Sequence, residues 1–196
     1  MEFLRVSPAF AVWYAYDPTV KADLFSTGFS ARNELTVVDP IALSAAYRTE
    51  LDSLGRVANI VVTNVNHLRD TLNFSRTYSA SIFAPRELNA ELTHNHALSD
   101  GLEVGLFRAI KIDGAADSEF AFYHPDDGGT LIVGDALINF EPHGFDLLPQ
   151  KYCTNKKRMI RSLRRLLDLD FSRIFFAHGN PIMNRGRERL ASLLPS

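Results

Sequence analysis

A chain of 196 residues, 46% of them hydrophobic, carries enough apolar side chain to bury a core without disulfides or a structural metal. A formal net charge of -2 sets up no overall field that would draw it to nucleic acid or to an anionic membrane, so neither is expected as a partner. Cys153 is the only cysteine, which excludes an internal disulfide and fits a reducing compartment, so cytoplasm is the expected location.

The apolar run Pro8 to Tyr16 follows Arg5 and superficially resembles the core of a signal peptide. Glu2 spoils the basic leader, aromatic residues fill the run, and Asp17-Pro18 stands where small residues would mark a cleavage site, so a buried strand is expected. Val12 to Tyr16 and Leu35 to Val38 are runs rich in β-branched and aromatic residues, each closed by an Asp-Pro pair, and read as strands. Beyond Pro40, Leu43, Tyr47, Leu51 and Leu54 recur at helical spacing, with Ser44 near the start as a cap and Gly55 just past the end. Asn59 to Thr63 reads as a strand covered on both faces. Ser81 to Ala84 is a strand stopped by Pro85, and Phe107 to Ile112 is another. Phe120 to Tyr123 and Thr130 to Val133 flank His124-Pro125-Asp126-Asp127-Gly128-Gly129, whose residues suit a hairpin turn. Met159, Ile160, Leu163, Leu166 and Leu167 form an apolar helical stripe, Arg173 to Ala177 a strand, and residues from about Arg185 to Leu194 a last helix. No repeat or linker-like block interrupts this series, so one domain over residues 1–196 is expected.

Three segments carry a resemblance. Thr36-Val37-Val38-Asp39-Pro40 is a strand running into aspartate, Leu131-Ile132-Val133-Gly134-Asp135-Ala136-Leu137 a strand running into Gly-Asp, and Phe176-Ala177-His178-Gly179 a strand ending in His-Gly. Together with the order of elements, they resemble the metallo-β-lactamase superfamily along nearly the whole chain. That resemblance implies an α/β fold, the four-layer αββα sandwich of metallo-β-lactamase type, with metals at the strand ends. It also implies a relation to metal-dependent hydrolases.

In that family a strand ending in Thr runs into His-x-His-x-Asp-His, which binds two metal ions. Here Thr63 is followed by Asn64, Val65, Asn66, His67, Leu68 and Arg69. Asn64 and Asn66 fall where the first two histidines stand, Leu68 where the aspartate stands and Arg69 where the last histidine stands, while His67 lies one place out of register. Ala115 falls where the family has its next histidine. Asp135, matching the bridging carboxylate, and His178, matching the final histidine, persist. Asparagine amides are weak neutral donors and two ligands rarely hold Zn²⁺. The expectation is therefore a metal-free pocket formed by Asn64, Asn66, His67, Arg69, Ala115, Asp135 and His178, without cofactor, binding a small molecule or a partner. Arg69 would supply the lost positive charge opposite Asp135. The alternative is a hydrolase with one divalent ion on Asp135 and His178, helped by a group such as Asn66.

The one His-x-His, at His94 and His96, reads as a solvated polar loop, and His124 and His143, each beside a proline, read as surface residues. Lys156, Lys157, Arg158, Arg161, Arg164 and Arg165 read as the solvated face of an amphipathic helix, with no aromatic residues interleaved for nucleic acid. Cys153 has no base beside it in sequence and reads as a structural thiol.

Overall fold

In the computed structural model, which describes residues 1–92, 95–141 and 144–195, backbone contacts divide the chain into two compact units, Met1–Leu98 and Ser99–Ser196. Each is a sheet with few helices, so the fold is mixed α/β with several sheets, as expected.

The first unit is built on a seven-stranded sheet whose strands lie in chain order: β1 (Glu2–Arg5), β2 (Phe10–Asp17), β3 (Ala22–Ala31), β4 (Glu34–Val38), β5 (Arg56–Val61), β6 (Ser81–Ala84) and β7 (Asn95–Ala97). The first four pair antiparallel through short turns, and from β4 onward the pairing is parallel. Parallel neighbours need a crossover, which α1 (Ala45–Asp52) supplies between β4 and β5 and α2 (Thr71–Tyr78) between β5 and β6. Ser44 caps α1 by accepting from the Tyr47 N–H at 3.3 Å. Past its end, Gly55 has φ +142°, and a Cβ there would lie 2.9 Å from the Asn33 carbonyl oxygen. One face of the sheet contributes Trp13, Leu35, Val37, Val57 and Ile60 to a core with Leu51 of α1 and Phe74 of α2. Trp13 is fully buried, stacks against Phe3 and Phe74, and donates its indole N–H to Ile41 O at 3.1 Å.

The second unit holds a five-stranded sheet in the order β14-β11-β10-β9-β8. Its strands are β8 (Glu103–Val104), β9 (Phe107–Lys111), β10 (Phe120–His124), β11 (Thr130–Val133) and β14 (Arg173–Phe176). A separate hairpin joins β12 (Leu137–Phe140) to β13 (Gly144–Leu147). The hairpin expected around His124 to Gly129 forms, with Phe122 opposite Ile132 and His124 opposite Thr130. Gly129, at φ +72°, passes so close to Asp170 O that a Cβ would lie 2.0 Å from it. α3 (Lys156–Arg165) buries Met159 and Leu163 in a core shared with Leu131, Val133, Ile174 and Phe176, and α4 (Gly186–Leu193) adds Leu190. Lys157, Arg158, Arg161, Arg164 and Arg165 are exposed, as an amphipathic α3 requires, and Lys156 is half-buried.

Two expectations need correction. His124 is buried, 6% exposed, because it is the last residue of β10 and its Nδ1 lies 3.0 Å from Leu106 O. The adjacent Pro125 begins the turn only after the imidazole has been drawn into the sheet. His96 belongs to edge strand β7, its ring stacked on Phe83, although it is exposed as a loop histidine would be. His94 and His143 lie outside the described residues. No helix among the described residues is long and apolar enough to cross a membrane.

Candidate functional site

In the first unit, the C-terminal ends of β4 and β5 converge on a buried carboxylate. Asp39 follows Val38 directly and takes φ +49°, a left-handed conformation that aspartate tolerates better than most residues. Its N–H donates to Val61 O at 2.8 Å, continuing the parallel ladder one residue beyond the strand. The carboxylate is turned towards the segment after β5. Oδ1 accepts the Thr63 N–H at 2.8 Å, and Oδ2 accepts the Thr63 hydroxyl at 2.6 Å and lies 2.9 Å from His67 Nδ1. Asp39 and His67 are 1% and 3% exposed, so this is a desolvated pair rather than a surface contact.

Burial alone would push the Asp39 carboxyl upward. The charge and hydrogen bond of His67, the nearby Arg69 guanidinium and the Thr63 hydroxyl outweigh it and hold the group below the usual carboxylate range. An ionised carboxylate only accepts, so the His67 proton belongs on Nδ1 and, in the neutral ring, Nε2 carries the lone pair. This tautomer follows from the bonding pattern.

The replaced positions after Thr63 have local duties. Asn64 is buried and caps the 3-10 turn Val65–His67, its Oδ1 accepting the Asn66 N–H at 2.9 Å. That turn rotates His67 back towards Asp39. Asn66 is exposed. Leu68 packs beside the cluster of Val62, Ile82 and Leu88. Arg69, at φ +42°, donates through Nη1 to Phe25 O at 2.6 Å and to Asp39 O at 3.0 Å, tying β3 to the turn at Asp39. Ser26 supports the same turn, donating to Asp39 O at 2.7 Å and accepting from the Ile41 N–H at 2.9 Å.

In the second unit the parallel pair β11 and β14 does the positioning. Val133 stands opposite Phe176, and the Ala177 N–H donates to Val133 O at 3.1 Å, so the two strands end level. Asp135 lies two residues beyond one strand and His178 two beyond the other. Asp135 Oδ1 and His178 Nε2 are 3.2 Å apart, with side chains 14% and 15% exposed. The glycine after His178 is a steric requirement: Gly179 has φ +116°, and a Cβ would lie 2.0 Å from Asn139 O. That close approach lets the Asn139 N–H donate to His178 O and the Asn180 N–H to Asn139 O, each at 3.0 Å, which clamps the histidine's backbone. Ala115 is fully buried in this unit's core, its carbonyl accepting from the Thr154 N–H and hydroxyl at 3.0 and 3.1 Å.

Of the expected residues, Asp135 and His178 are brought together as foreseen, while Asn64 and Arg69 bond within the first unit. Asp39 was not foreseen as a site residue, although the strand ending Thr36-Val37-Val38-Asp39 was a usable signal for it.

The family model described as "Metallo-beta-lactamase superfamily" matches residues 2–196. Among solved structures, DIM-1 metallo-beta-lactamase is 13% identical with a TM-score of 0.76, the match covering 98% of this chain and 96% of that one. A metallo-beta-lactamase from Erythrobacter litoralis is 14% identical at TM-score 0.71, over 98% and 91%. A metallo-beta-lactamase family protein from Thermus thermophilus is 24% identical at TM-score 0.66, over 96% and 79%. At these identities the likeness is one of fold. No curated protein matches significantly.

Proposed function

Because the chain belongs to the metallo-beta-lactamase superfamily, we propose that it is a metal-dependent hydrolase with a reduced ligand set, holding one divalent ion through Asp135 and His178. The observation that carries this reading is the Asp135–His178 pair. Two ligands each about 2.1 Å from a tetrahedral ion stand about 3.4 Å apart, and Asp135 Oδ1 and His178 Nε2 are 3.2 Å apart. An imidazole nitrogen and a carboxylate oxygen suit Zn²⁺ or Fe²⁺. A bound ion would supply Lewis acidity towards a carbonyl or phosphoryl oxygen. The chain's own contribution is to fix the donors: the level ends of β11 and β14 bring Asp135 and His178 together, and Gly179 with Asn139 sets the His178 backbone.

A second reading, a metal-free pocket for a small molecule or partner, is favoured by the replacement of family ligands by Asn64, Asn66, Leu68, Arg69 and Ala115. There the 3.2 Å contact is an ion pair within the protein. Titration of chelator-stripped protein with Co²⁺ separates the two. The metal reading predicts one saturable site with visible d–d absorption, lost in His178→Ala, and ester or phosphodiester hydrolysis that follows cobalt occupancy. Absence of saturable binding would leave the metal-free reading.

A further inference from the structure

Glu119 is the first carboxylate of the second unit to be withdrawn from water, at 1% exposure. Ser118, at φ +53°, turns the chain into β10, and the Ile112 N–H donates to Glu119 O at 2.9 Å, extending the β9–β10 ladder and fixing where the side chain starts. Its Oε1 accepts the Ala136 N–H at 3.0 Å. That amide is the one joining Ala136 to Asp135, so the bond sets the plane of the peptide leaving the Asp135 backbone. On the other side of Ala136, the Leu148 N–H donates to Ala136 O at 3.1 Å. The turn carrying Asp135 is thus held at consecutive peptides, one through a side chain brought from 17 residues earlier in the chain. A buried carboxylate is costly, and a backbone amide elsewhere is normally satisfied by a carbonyl or water. Using an ionisable side chain here fits a demand for orientation that ladder bonding does not meet, since β11 has ended at Val133 and β12 has not begun.

We infer that Glu119 is a positioning residue: by accepting the Ala136 N–H it aims the Asp135 carboxylate at His178. Its consequence for metal affinity rests on the metal-binding reading, whereas its consequence for the Asp135–His178 geometry does not. The role requires an acceptor at the Oε1 position rather than a negative charge. Glu119→Gln keeps that acceptor, Glu119→Asp withdraws it by one methylene while keeping the charge, and Glu119→Ala removes it.

The experiment compares these variants with the wild type in two forms, first metal-free, by the ring ¹⁵N shifts of His178, and then titrated with Co²⁺. Glu119→Gln is expected to keep the His178 shifts and a cobalt affinity within about threefold of wild type. Glu119→Ala and Glu119→Asp are expected to shift the His178 resonances and to weaken cobalt binding about 10- to 100-fold, the usual effect of losing a supporting partner. Glu119→Asp keeps the test open where the alanine variant does not fold. A folded alanine or aspartate variant with unchanged His178 shifts would overturn the inference, as would a glutamine variant behaving like alanine, because that would make the charge the operative feature. Should wild type bind no cobalt while the His178 shifts follow the expected order, the metal reading fails and the positioning role stands.

Discussion

Replacing Asp39 by asparagine exchanges one carboxylate oxygen for an NH₂ group and should separate the support of the fold from the setting of a histidine. The carboxylate receives three bonds, from the Thr63 N–H at 2.8 Å, the Thr63 hydroxyl at 2.6 Å and His67 Nδ1 at 2.9 Å. An asparagine carbonyl at the Oδ1 position keeps the first. Its NH₂ at the Oδ2 position can only donate, so the Thr63 hydroxyl must turn its proton away and His67 Nδ1 must become an acceptor. The backbone is not the obstacle, because asparagine tolerates the left-handed conformation that Asp39 adopts at φ +49°. Two contacts reverse direction without any donor being stranded, so the expected loss of stability is about 1–2 kcal/mol. Asp39→Ala removes all three bonds to the carboxylate and should lose about 3–5 kcal/mol. Urea unfolding gives the two stabilities, and long-range ¹H–¹⁵N spectra give the tautomer. The wild type should carry the His67 proton on Nδ1 and Asp39→Asn on Nε2. Retention of the Nδ1 proton in folded Asp39→Asn would show that Asp39 does not set the tautomer.

Gly179→Ala should lower stability by about 2–4 kcal/mol, because its φ of +116° is hostile to a side chain and the Cβ meets Asn139 O; a melting temperature equal to wild type would contradict this. Trp13→Phe, which strands the Ile41 carbonyl and thins the stack between Phe3 and Phe74, should lose about 2–4 kcal/mol in urea unfolding. Burial raises the Cys153 thiol above its ordinary pKa and Lys156 only partly offsets this. At pH 8 less of it is thiolate than in a free cysteine, so iodoacetamide should alkylate it more slowly than free cysteine; an equal rate would rule out the buried setting.

What was legible in the sequence was what a local pattern dictates. Asp-Pro closed β2 and β4, Ser44 and Gly55 bracketed α1, and Gly128-Gly129 announced the hairpin. β3 escaped because Ser26, Thr27, Gly28 and Ser30 interrupt its apolar run, although Ser26 and Ser30 serve structure: Ser26 bonds Asp39 O and Ser30 bonds Leu54 O. α2 escaped because most of its residues are polar, and only Thr71 and Phe74 are buried. At the site, Asp135 and His178 were found because each ends a strand in a recognisable segment. The roles of Asp39 and Glu119 depend on what lies 24 and 17 residues away in the chain, at Thr63 and Ala136. Position-by-position comparison after Thr63 set His67 aside as out of register, but a 3-10 turn capped by Asn64 carries its ring to Asp39. Register along a strand end predicts side-chain direction only while the backbone stays extended.

If Asp135 and His178 hold a metal ion, elemental analysis of the protein as purified, without added metal or chelator, should find about one Zn or Fe ion per chain, falling to background in the Asp135→Asn/His178→Ala double variant while circular dichroism stays native. A native fold with no stoichiometric transition metal in the wild type, or the same metal content in the double variant, would contradict the metal-binding reading.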